Sequence, residues 1–127
     1  MTHSRLVSRR RLLTLVQRLK RVKPKRFDME IWAKSQHPCR TAGCAVGYAT
    51  TIPAFRRAGL KLRQRIHGPR DLAFRPTYHG KRGTDAVQAF FHLGATDVED
   101  LFMPESYSPP TLSNVIQRIE AFAEKIP

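Results

Sequence analysis

Two cysteines and five histidines are the side chains of this chain best suited to covalent or metal chemistry. Both cysteines fall in one stretch, Cys39-Arg40-Thr41-Ala42-Gly43-Cys44-Ala45-Val46-Gly47-Tyr48-Ala49, which is almost free of bulky side chains. Thr41 reads as the N-cap of a helix, which puts Cys39 just outside its positive end and Cys44 in the first turn, near N3. A thiol at a helix N-terminus has its pKa lowered by the helix dipole, as a cysteine nucleophile requires, and Arg40 strengthens that field. His37, His67, His79 or His92 would then serve as the base. Read for metal, His37, Cys39 and Cys44 offer three ligands, and a distant histidine completes a tetrahedral zinc site. The spacing is not that of common Cys-x2-Cys fingers, and Cys44 would have to turn off the helix. Two helical cysteines at this separation have Cα atoms about 8–9 Å apart, beyond bridging range, so a disulfide closes only if Cys39 lies outside the helix. A small buried thiol is the ordinary state of such residues. No catalytic residue or cofactor is therefore assigned; Cys39 is the candidate nucleophile, and His37, Cys39 and Cys44 are the candidate zinc ligands.

The elements that must position this stretch read as mainly helical. Residues 5–22 carry Leu12, Leu15, Val16, Leu19 and Val22 at helical spacing. Asp28 reads as an N-cap, with Phe27 folding over Trp32 as a hydrophobic staple. On the stretch itself, Ala42, Ala45 and Ala49 share one helical face and Gly43, Gly47 and Thr50 another. So slim a helix lets neighbours approach its backbone closely, and it is expected at the centre of the fold. Pro53 ends it or starts a separate turn. Residues 60–78 alternate apolar with basic side chains about a turn-forming segment, which predicts a two-strand hairpin whose second strand Pro76 restricts to an edge. His79-Gly80-Lys81-Arg82-Gly83 reads as a flexible basic loop. Thr84 starts a helix that Gly94 ends. Thr96-Asp97-Val98-Glu99 reads as a capping box for a short helix ending before Pro104. Val115, Ile119, Phe122 and Ile126 mark a last helix. The expectation is one α+β domain over 1–127, mainly α, with a basic helix and arm over 1–26 and a core over 27–127. A short small-residue helix lies at its centre, beside one basic β-hairpin.

Charge bounds the partners. The chain carries 23 Lys and Arg against 10 Asp and Glu, a net of +13, and the excess is uneven. Residues 1–83 hold 21 basic and 3 acidic side chains, whereas residues 84–127 hold 2 basic and 7 acidic. Solubility alone does not require that asymmetry; an anionic partner does. Arg9, Arg10, Arg11, Arg18, Arg21, Lys23, Lys25 and Arg26 on the first helix and its arm, and Lys61, Arg63, Arg65, Arg75, Lys81 and Arg82 around the hairpin, are the candidate phosphate contacts. Tyr78, with His79, is a candidate for stacking on an exposed base. DNA and RNA fit equally. No run reaches the length of a membrane span, and two cysteines without a secretory leader point to a reducing, cytoplasmic setting.

Some of these residues form a recurring pattern: Phe27-Asp28-Met29 with Trp32, Cys39-Arg40-Thr41 with Cys44, Gly47 and Ala49, then Gly80 with Gly83, Phe91 with Leu93-Gly94, and Leu101-Phe102. The pattern resembles small phage and prophage proteins of uncharacterised function over residues 27–126, departing at Arg40, where those proteins carry Gly. The resemblance implies a phage-encoded accessory protein of a bacterial host cytoplasm and identifies no catalytic residues. A cysteine before a helix and a later histidine also look like papain-type hydrolases, whose Gly-Ser-Cys-Trp-type signature is missing. The expected function is non-enzymatic nucleic-acid binding. The alternatives are a phage-encoded modulator of an acidic host or phage protein and, last, a hydrolase using Cys39.

Overall fold

The computed structural model describes residues 3–27, 44–64 and 74–126. The expectations on Asp28, Trp32, His37, Cys39, Thr41, Arg65 and His67 lie outside the described residues.

The protein is a mainly helical α+β domain. Helix α1 (His3–Leu19) buries Leu12, Leu15, Val16 and Leu19 completely. Each contributes about 1.5–3 kcal/mol by leaving water. The helix stops at Leu19 rather than at residue 22; the chain then turns, and Val22 remains buried. Its apolar stripe joins the hydrophobic core shared with the rest of the described chain. A 3-10 turn (Pro24–Arg26) follows.

Helix α2 (Ala45–Ala49) is the small-residue element, and all five of its residues are buried. It packs against α1 and touches the sheet. Cys44 is its N-cap rather than a first-turn residue: the helix is shorter than expected, and the Gly47 N–H donates to Cys44 Sγ at 3.4 Å. Pro53 opens a separate helix, α3 (Pro53–Arg57), where its missing N–H leaves no helical bond unmade.

Strands β1 (Lys61–Gln64), β2 (Phe74–Tyr78) and β3 (Lys81–Arg82) form an antiparallel sheet in the order β1-β2-β3. The predicted hairpin is present, but the loop expected after it is a second hairpin. His79 (φ 47°) and Gly80 (φ 83°) form a two-residue connection with positive φ at both positions, as a type I′ turn requires. Pro76 therefore lies in the central strand, not at an edge. Its carbonyl accepts from the Gly83 N–H at 2.9 Å, which places its own nitrogen on the β3 side. The register puts Gly83 opposite Pro76, and the Gly83 carbonyl that a Pro76 N–H would have faced accepts instead from the Val87 N–H at 3.2 Å.

Helix α4 (Thr84–Phe91) covers the inner face of the sheet and also touches α1. It ends on His92, which adopts the left-handed conformation expected of Gly94. Gly94 instead is the N-cap of α5 (Ala95–Phe102), so Thr96 falls inside the first turn and the predicted capping box does not form. Helix α6 (Leu112–Glu124) starts on Thr111, whose Oγ1 accepts from the Asn114 N–H, and lies along α1. Phe55, Phe90, Phe91 and Phe102 form an aromatic cluster joining α3, α4 and α5.

Candidate nucleic-acid interface

Alternation along a strand decides which cations share a face. Lys61 pairs with Thr77 and Arg63 with Arg75 across β1 and β2, and Thr77 pairs with Arg82 across β2 and β3. Lys61, Arg63, Arg75 and Arg82 thus stand on one face with Thr77 among them. Leu62, Pro76 and Tyr78 turn to the other, where the Tyr78 ring meets Phe90 of α4 edge-on at 5.2 Å. Lys61, Arg63, Lys81 and Arg82 are exposed, and Arg75 is half-buried. Arg63 and Arg75 sit directly opposite each other. Like charges in that position are destabilising, and among the described residues neither is in an ion pair.

At the turn end of this face is an open hollow of about 460 Å³, lined by Lys61, Arg63, Thr77, His79, Lys81 and Arg82, with Gly59 and Gly80. The two glycines shape it differently. Gly80 supplies the positive φ that the turn needs. Gly59 (φ 111°) lies under the imidazole: a Cβ there would meet His79 Nε2 at 3.0 Å. His79 in turn stacks on the Tyr78 ring, centroids 4.0 Å apart and planes 17° apart. Tyr78 is half-buried between His79 and Phe90, so the exposed aromatic face at this end belongs to His79. Thr77 and Gly59 carry no signal in the sequence that marks them for this site, whereas Gly80 stands out there as part of the basic loop. The register shows why Thr77 belongs: it lies between Lys61 and Arg82.

The cations of α1 and of the segment that follows it divide into two groups. Arg9, Arg10, Arg21, Lys23 and Lys25 are exposed. Arg11 and Arg18 are engaged within the protein. The Arg11 guanidinium donates to the Phe90 carbonyl and lies 4.1 Å above the Phe90 ring, while the Ser8 hydroxyl donates to the Phe91 and His92 carbonyls. Together they satisfy the last carbonyls of α4, where a cation also meets the negative end of the helix dipole. Arg18 Nε donates to Thr51 Oγ1 at 2.8 Å, and its guanidinium lies 5.2 Å from the Tyr48 ring centroid. Arg26 is half-buried, and its carbonyl accepts from the Tyr48 hydroxyl at 2.9 Å. Of the α1 cations expected to contact phosphate, Arg11 and Arg18 are thus positioning residues for the fold. Helix α4 intervenes between α1 and the sheet, so the sheet cations are the ones the structure gathers.

Cys44, a candidate zinc ligand, is buried at the head of α2 with its sulfur accepting a backbone N–H. Among the described residues no group of three His, Cys, Asp or Glu is placed to hold a metal, and no helix is long and apolar enough to cross a membrane. Comparison with protein-family models, with curated proteins and with solved structures finds no match to this chain.

Proposed function

We propose that the protein binds nucleic acid without catalysis, placing the outer face of its sheet on the phosphate backbone. The supporting observation is the Arg63–Arg75 pair: two arginines at directly opposite positions of the ladder, flanked by Lys61 and Arg82 on the same face, with neither in an ion pair among the described residues. A phosphate between them relieves their repulsion and gains charge-assisted hydrogen bonds. The hollow at the turn end takes a neighbouring phosphate or sugar, with the exposed His79 ring beside it for a base. The exposed cations of α1 add long-range attraction. With the phage-protein resemblance, the reading is of an accessory protein working in the cytoplasm of a bacterial host, on DNA or RNA.

A salt titration tests this. Fluorescence anisotropy with labelled single- and double-stranded oligonucleotides should give log K falling against log salt with a slope of about −4 for four phosphate contacts on duplex DNA. Arg63→Gln and Arg82→Gln should each reduce that slope by about 1, whereas Arg18→Gln should leave it unchanged. A slope near zero, together with a stoichiometric protein partner recovered from nuclease-treated lysate, would overturn the reading.

A further inference from the structure

The acidic end of the chain has a surface that phosphate binding does not use. Residues 84–105 contain five carboxylates and no Lys or Arg. They also build a groove of about 360 Å³ between the first turns of α4, helix α5 and the 3-10 turn (Pro104–Ser106). Its floor includes Val98 and Met103, and its rim carries Glu99 and Glu105, both exposed. Among the described residues neither carboxylate is in an ion pair. The nearby cation Arg118 is held by the Asp100 and Ser106 carbonyls and by the Tyr107 ring, 4.1 Å from its guanidinium.

The complementary surface is on the same molecule. Leu6 is the exposed large hydrophobic residue of the described chain, 51% accessible on α1. Arg9 and Arg10 follow it at i+3 and i+4 and are exposed on the same side of that helix. An apolar side chain flanked by two arginines matches an apolar floor flanked by two glutamates. We infer that copies of this chain self-associate, each placing Leu6 in the groove of a second copy with Arg9 and Arg10 against its Glu99 and Glu105. A two-fold arrangement makes this contact twice in a closed dimer, and a head-to-tail arrangement gives a ring where the rotation closes or a chain of copies where it does not. The net charge of +13 repels copies at long range. At about 0.15 M salt that repulsion is screened beyond roughly 8 Å, while the pairs in contact persist. The inference does not depend on nucleic acid, and it assigns Arg9 and Arg10 to protein contact rather than to phosphate.

Sedimentation equilibrium of the full chain, freed of nucleic acid by nuclease treatment and studied to submillimolar concentration at about 0.15 M salt, tests it. Association is expected, and it should weaken at about 1 M salt. The doubly reversed variants Arg9→Glu with Arg10→Glu and Glu99→Lys with Glu105→Lys should each associate at least about tenfold more weakly. An equimolar mixture of the two should recover association, because each then offers the other an oppositely charged contact. Leu6→Asp should weaken association to a similar degree, with circular dichroism showing all variants folded. A monomeric wild-type chain throughout, a Leu6→Asp variant equal to wild type, or a mixture that stays monomeric overturns the inference. None of these outcomes bears on the salt slope of the sheet variants, so the two readings fail separately.

Discussion

Tyr107 donates its hydroxyl to the Leu101 carbonyl at 2.8 Å beneath the Arg118 guanidinium. Burial, opposed by Arg118 and aided by Asp100, raises its pKa from 10.0 to about 12. The folded state thus favours the protonated phenol. The stability this contributes is whole below pH 10 and is lost as pH rises from 10 towards 12. Urea denaturation across that window should show wild-type stability falling more steeply than that of Tyr107→Phe, whose loss of one hydrogen bond costs about 1 kcal/mol at neutral pH. Parallel slopes would show that the phenol does not ionise differently on folding. The same scale shows where sequence reading ends. Arg11 and Arg18 look like their neighbours Arg9 and Arg10 in a basic run. What separates them is a carbonyl and a ring at Phe90, and a hydroxyl at Thr51 with the Tyr48 ring, none of them local in sequence.

At the scale of elements, α1 and α4 are joined by Ser8 and Arg11 reaching the C-terminal carbonyls of α4. Arg11→Ala should destabilise the domain by about 2 kcal/mol, since it removes a charge-assisted hydrogen bond and leaves an orphan carbonyl. Arg9→Ala, exposed two residues earlier, should change stability by less than about 0.5 kcal/mol. Equal losses for both in chemical denaturation would contradict this docking. Apolar spacing made α1 and α6 legible, because both are amphipathic over several turns. The junction of α4 and α5 was misread because Gly94 has the sequence signature of a helix end, whereas here the left-handed residue is His92 and Gly94 starts the next helix. Pro76 sits in a central strand against the usual exclusion because the carbonyl opposite its nitrogen, that of Gly83, is already bonded to the Val87 N–H, a contact the sequence does not announce.

At the scale of the whole molecule, the charge asymmetry was legible from composition, since it needs only counting. Which cations share a face required the strand register, and the acidic groove required the packing of α4 against α5, neither of which composition carries. With a net charge of +13, self-repulsion should weaken the fold at low ionic strength. Raising sodium chloride from about 0.01 to 0.2 M should increase stability by on the order of 1 kcal/mol, or about 4 °C in Tm. Phosphate at equal ionic strength should increase it further by occupying the Arg63–Arg75 face; identical curves for the two salts would remove that contribution. Strand β1 carries a second consequence. Among the described residues it is an edge of the sheet, and Lys61 and Arg63 stand on it. Charges on an edge strand keep one sheet from adding to another, so these cations also guard against edge-to-edge aggregation. Alanine at both positions removes that guard together with the phosphate contacts, and a precipitating variant would then be mistaken for a binding defect. Glutamate at the same positions ends phosphate binding while keeping the edge charged, which makes it the cleaner substitution for separating the two roles.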